Sequence, residues 1–163
     1  MTAKGHVVLA VTPLTLVYGS GMLQHPFMLL AVIVGSLLPD IDEKGSYIGR
    51  KLYFVSGIFK DLGIEHRGFT HFLIIPLSLM LISYLVMDGG WLFWLAFGIL
   101  MHDLGDMLTK SGIKGFFYPL FERKRIGLLP KKFRFKTFSF AEKVVILILL
   151  AINASIMLGG MVR

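Results

Sequence analysis

The chain has no cysteine among its 163 residues. Disulfides and thiolate metal sites are excluded, so a bound metal must be held by imidazole nitrogen and carboxylate oxygen. Charge is scarce as well. Asp, Glu, Lys and Arg make up 17% of the residues, against about 25% in an ordinary soluble domain. Acids are the rarer sign, 10 against 17 bases. No histidine follows His102, and only two tryptophans, Trp91 and Trp94, are present. Neither an internal repeat nor a low-complexity linker breaks the chain, which predicts one domain over residues 1–163.

What the chain has in quantity is apolar side chains, 55% of the total, gathered into five blocks. They run over residues 6–18, 27–38, 72–87, 91–108 and 144–162. A helix needs roughly 20 apolar residues to cross the hydrocarbon core of a bilayer. The fifth block meets that length and the third and fourth come close. The first two are short and joined by an uncharged turn at residues 19–26, which predicts a helical hairpin that either crosses a thinned bilayer, the favoured reading, or enters it only partway. The expected fold class is all-α, an integral membrane helical bundle with about five transmembrane or membrane-embedded helices. In the fifth block Ala151, Ser155 and Gly159 recur every four residues, a spacing that lets a second helix approach, and Asn153 can add an interhelical hydrogen bond.

The net charge of +7 lies mostly in two stretches, residues 44–67 and 110–143. Bases accumulate in cytoplasmic loops, and of the 17 only Arg163 falls on the other side of this topology. The N-terminus and both long loops are therefore expected in the cytoplasm. A signal peptide is the rival reading of the first block. Residues 115–140 interleave bases with aromatics, as an interfacial segment on anionic headgroups does. A membrane lipid is the expected partner and nucleic acid is not.

The same topology brings the chain's imidazoles and many of its acids to one side. His6 opens the first helix, Asp40 and Asp42 follow the second, His66 and His71 precede the third, and His102 and Asp106 close the fourth. His25 stands alone at the opposite end and reads as interfacial. Ionisable groups near a bilayer mark functional sites. His102 and Asp106 are four apart, on one helical face, and can share a metal. His66 and His71 are five apart, which places His66 in the loop and His71 at the helix start. Of Asp40 and Asp42, one can bridge two metals while the other binds or orients a ligand. Asp103 and Glu65 can orient a ligand imidazole, and Asp103 can also be a ligand itself. Arg67 and Lys110 are candidates for binding phosphate, Arg67 by a two-pronged contact.

At these residues the chain resembles the YdjM-like family of bacterial inner-membrane, metal-dependent hydrolases. The resemblance rests on His6, on Leu38-Pro39-Asp40-Ile41-Asp42, on His66-Arg67-Gly68-Phe69-Thr70-His71 and on the stretch from His102 through Asp106 to Gly112. It implies a multi-pass protein of the inner membrane with its site at the cytoplasmic face. A weaker similarity reaches zinc-dependent phospholipase C and related single-strand nucleases, whose ligand order is an early His, an Asp, a His and then His-x-x-x-Asp. That pattern continues with two further histidines and a glutamate, and this chain has no histidine after His102.

Imidazole with carboxylate suits zinc, manganese or iron. The expected cofactor is one or two divalent ions, zinc first, held by His6, Asp40, Asp42, His66, His71, His102 and Asp106. The expected activity, which the resemblance also implies, is hydrolysis of a phosphoester or phosphodiester, most plausibly in a lipid, by metal-activated water. Asp40 and Asp42 are the candidate catalytic carboxylates, the unligated one acting as base, and Arg67 is the candidate stabiliser of charge. The alternative is a metal-binding membrane protein without catalysis, a transporter or a metal-stabilised scaffold.

Overall fold

The computed structural model describes residues 1–63, 66–87, 90–121 and 124–161. Glu65, Asp88, Gly89, Glu122, Arg123 and Arg163 lie outside the described residues. The chain is 71% helix and 4% strand, so the all-α expectation holds at the level of class. The helices are α1 (Ala3–Tyr18), α2 (Pro26–Gly35), α3 (Tyr47–Lys51), α4 (Tyr53–Asp61), α5 (Ile74–Met87), α6 (Trp91–Met107) and α7 (Phe140–Met161). A 3-10 turn, Gly19–Gln24, prolongs α1. A two-stranded antiparallel ladder, β1 (Ile113–Lys114) with β2 (Arg125–Ile126), sits inside the loop expected to lie on headgroups.

Five apolar blocks give five long helices, but not five that are each long enough to cross a membrane. Two qualify by length and composition, Ala3–Gln24 and Phe140–Gly160. At 1.5 Å per residue the 10 residues of α2 reach only about 15 Å, half of a core about 30 Å thick. α6 is 17 residues long, and its last turns carry His102, Asp103 and Asp106. Its apolar part therefore ends near Met101.

The core forms where α2 meets α6. An ideal Cβ on Gly35 would lie 2.1 Å from the Leu95 carbonyl oxygen, and one on Gly98 would lie 2.3 Å from that of Val32. The two helices touch backbone to backbone because both positions lack a side chain. Above the crossing, Ala10, Leu14, Met22, Met28 and Val32 form a buried cluster with Trp94 packed against it. Gly105 does the same for α1, since a Cβ there would stand 3.0 Å from His6 Nδ1.

α7 packs on α1, and Asn153 Nδ2 donates to Thr12 Oγ1 at 3.2 Å, the interhelical bond read from the sequence. The small residues do not make that seam. Ala151, Ser155 and Gly159 are exposed, and nothing lies within 4 Å of a Cβ placed on Gly159. Ser155 Oγ bonds back to the Ala151 carbonyl at 2.8 Å instead.

Candidate metal centre

Four chain segments deliver their polar residues to one end of the bundle. His6 lies in the second turn of α1, Asp40 and Asp42 in the 3-10 turn after α2, His71 in the 3-10 turn before α5, and His102 and Asp106 in the last turns of α6. His6, His71, His102, Asp103 and Asp106 are all 0% exposed. The remaining members, Asp40, His66 and Arg67, are reached by solvent.

Hydrogen bonds fix which nitrogen of His71 and of His102 points inward. His102 Nδ1 lies 2.7 Å from the Ser36 carbonyl oxygen, so that nitrogen carries the proton. Nε2 then presents its lone pair to the cluster. Thr70 Oγ1 donates to Asp42 Oδ2 at 2.6 Å and so accepts from His71 Nδ1 at 2.9 Å. His71 Nε2 is thereby also a lone pair facing Asp106. His66 Nδ1 stands 2.9 Å from Asp42 Oδ1. One carboxylate, Asp42, thus orients two imidazoles, one directly and one through a hydroxyl.

The inward atoms do not bond one another. His6 Nε2, His71 Nε2 and His102 Nε2 are buried with no hydrogen-bond partner. His6 Nε2 is 3.4 Å from Asp106 Oδ1, His102 Nε2 is 3.5 Å from Asp40 Oδ1, and His71 Nε2 is 3.7 Å from Asp106 Oδ2. Two ligands on one tetrahedral zinc, each about 2.0–2.1 Å from the ion, stand about 3.3–3.4 Å apart. These spacings are long for hydrogen bonds and close to those of ligands around a shared cation. The donors Asp40, His71, His102 and Asp106 all fall within 4.8 Å of one another, and so do those of Asp40, Asp42 and His66. Asp40 belongs to both groups, which is the position of a carboxylate bridging two ions. His6 stacks on His102 with ring centroids 3.7 Å apart and planes 6° apart.

Charge points the same way. Asp40, Asp42 and Asp106 face two cations, Arg67 and the Met1 amino group, both on Asp106. With neutral imidazoles, negative charge is left over, which a divalent ion offsets. Burial holds His71 well below the ordinary histidine value, and the neighbouring His102 adds to that, so it is neutral as a ligand must be. Burial works against protonation of His66 too, but the Asp42 carboxylate outweighs it and raises His66.

Three other candidates from the sequence have defined places. Asp42 meets His66 through one oxygen and Thr70 through the other, the orienting role open to one of the two aspartates, and it also belongs to the second group of possible ligands. Arg67 pairs with Asp106, its Nε 2.7 Å from Oδ2 and its Nη2 2.9 Å from Oδ1, and its Nη1 meets Ser111. It reaches them from the left-handed backbone region, at φ 61°. A residue other than glycine rarely adopts that conformation. Lys110, expected to meet phosphate, is exposed and does not line the cavity at the site. Thr70, between the two histidines of the His66–His71 string, joins the site through its hydroxyl, which no ligand chemistry in the sequence signals.

A family model described as YdjM inner membrane protein matches residues 1–162. The chain belongs to this family. It is 34% identical over 148 residues to the inner membrane protein YdjM of Escherichia coli K12, covering 81% of this chain and 73% of that protein. It is 31% identical over 147 residues to the uncharacterized protein YvsG of Bacillus subtilis 168, covering 90% of this chain and 88% of that one. No solved structure matches it, so the likeness to zinc-dependent phospholipase C stands on the order of ligands alone. For a member of an inner-membrane family, the exposed apolar side chains along α7, which is long enough to span, have a solvent, the lipid.

Proposed function

We propose that this chain is a metal-dependent hydrolase of the inner membrane that cleaves a phosphoester or phosphodiester at the cytoplasmic interface. One observation carries the reading. The half of the cluster that solvent reaches, Asp40, His66 and Arg67, lines a cavity of about 780 Å³, so a substrate has access to the ligands. A buried structural site would have no such mouth.

A divalent ion held there would polarise a phosphoryl oxygen and make water nucleophilic near neutral pH. Asp40, shared by both groups, holds the two positions together. Asp42 keeps His66 and, through Thr70, His71 in the required tautomers. Arg67 fixes the carboxylate of Asp106 and lines the cavity beside it. The complete burial of His6, His71 and His102 favours a second reading, a metal-stabilised scaffold without turnover.

Turnover separates the two. Purified protein loaded with zinc or manganese is expected to release phosphate or alcohol from at least one of a panel of phosphomono- and phosphodiesters. Asp40→Asn is expected to lower that rate by 100-fold or more. Tight metal binding with no turnover on any member would leave the scaffold reading.

With α2, α5 and α6 embedded beside the two full-length helices, the cluster would lie at the inner leaflet, and the base-rich loops at the same end support that orientation. A single cysteine at position 44 is then labelled only from the cytoplasm. Labelling from outside would reverse the orientation.

A further inference from the structure

The cavity at the site has walls of two kinds. Asp40, His66 and Arg67 form one end. Ile146, Leu147 and Leu150 of α7 form the other. α7 is also the most apolar of the helices long enough to span, and none of its apolar stretch is buried. Leu147 is 67% and Leu150 46% exposed, so this wall runs from the site out onto the face that meets lipid.

We infer that the substrate is a membrane lipid phosphate that enters sideways along α7, its phosphate at Asp40 and His66 and its chain on Leu147 and Leu150. This rests on the hydrolase reading and names the substrate class of that site. A water-soluble phosphoester would leave the leucine wall facing water, whereas a lipid covers it with its own chain. The volume suits a headgroup and the first carbons of a tail, since small-molecule sites span about 300–1,000 Å³. The rest of the chain stays in the bilayer.

Charge on the rim selects an anion. Lys4, Arg50 and Lys143 line the cavity, are exposed, and have no carboxylate partner among the described residues. The acids beside them are occupied. Glu142 accepts from the backbone N–H of Thr2 and of Phe138, each at 2.6 Å, and Glu43 from that of Gly45 at 3.0 Å. The Glu142 bonds also tie the start of α7 to the chain just before α1. They hold the leucine wall in register with the helix that carries His6.

The test is equilibrium binding, which does not require turnover. Metal-loaded protein held in amphipol is titrated by calorimetry with dihexanoyl phosphatidic acid and with glycerol 3-phosphate, which share the phosphate and differ in the chains. The lipid is expected to bind at least tenfold more tightly. Leu147→Trp with Leu150→Trp fills the apolar wall and is expected to weaken the lipid about tenfold while leaving glycerol 3-phosphate unchanged. Arg50→Gln with Lys143→Gln, at exposed positions, is expected to weaken both. Equal affinity of the two ligands for the wild type, or lipid affinity unchanged in a tryptophan variant of normal metal content, would overturn the inference. If that variant loses its metal, the wild-type comparison and the Arg50/Lys143 pair decide. Failure of the hydrolase reading looks different: the lipid binds with the expected selectivity and is not cleaved.

Discussion

Asp106→Asn is expected to leave purified protein with less than a tenth of the wild type's bound divalent metal. The residue is fully buried and within 4 Å of His6, His71 and His102, so it supplies oxygen to every imidazole of the inner group. The amide is nearly isosteric with the carboxylate but removes the charge. It also leaves Arg67 and the Met1 amino group with no charged partner at that position. Breaking a buried ion pair from one side costs about 3–5 kcal/mol, so the variant should also unfold at lower temperature than the wild type. Thr70→Val provides the graded comparison. It cuts the link from Asp42 to His71 without removing a ligand, and groups in that role are worth about 10–100-fold in metal affinity. His25→Ala, at the other end of the bundle, should bind metal normally. Elemental analysis by mass spectrometry on the three variants checks the order. Normal metal in Asp106→Asn would remove it from the centre.

Gly98→Ala carries the second large effect, although it touches no ligand. The added methyl would sit 2.3 Å from the Val32 carbonyl oxygen and 2.8 Å from the Ser36 backbone nitrogen. No side chain can rotate away from that collision, because backbone lies on both sides. Forcing extra volume into a packed core costs about 1–3 kcal/mol even where side chains can adjust, and here the upper end is expected. That corresponds to a fall of roughly 6–12 °C in thermal midpoint for a chain of this length. Metal binding should weaken with it, since Ser36 follows Gly35 and its carbonyl holds His102 Nδ1. Gly159→Ala is the control, with open space around its Cβ, and should change neither quantity. A Gly98→Ala protein as stable as Gly159→Ala would mean that α2 and α6 do not meet as described.

The sequence reveals the helices well because a membrane helix announces itself by an unbroken apolar run. The blocks at residues 91–108 and 144–162 coincide with α6 and α7 to within four residues at each end. The convergence of His6, Asp40, His71, His102 and Asp106 is also legible, since alternating helices return the chain to the same end every second turn. Other features depend on the third dimension. The partner of His102 is a backbone carbonyl, and no residue type signals that. Residues 40–71 read as a charged loop, yet they fold into α3 and α4 because Ser46 caps α3 through Gly49 and Ser56 bonds back to the Gly49 carbonyl. Arg67 reads as a phosphate ligand from its charge alone, while its direction is set by a left-handed backbone angle. The stripe of Ala151, Ser155 and Gly159 has the right spacing for a seam, but α7 turns its other side to α1.

X-ray absorption at the edge of the bound metal probes the centre most directly. The account predicts a first shell of nitrogen and oxygen alone, with the outer-shell scattering of at least two imidazoles, and the loss of that imidazole scattering in a His71→Ala, His102→Ala double variant. A metal surrounded by oxygen with no imidazole signature, or wild-type protein that takes up no divalent metal at all, would contradict it.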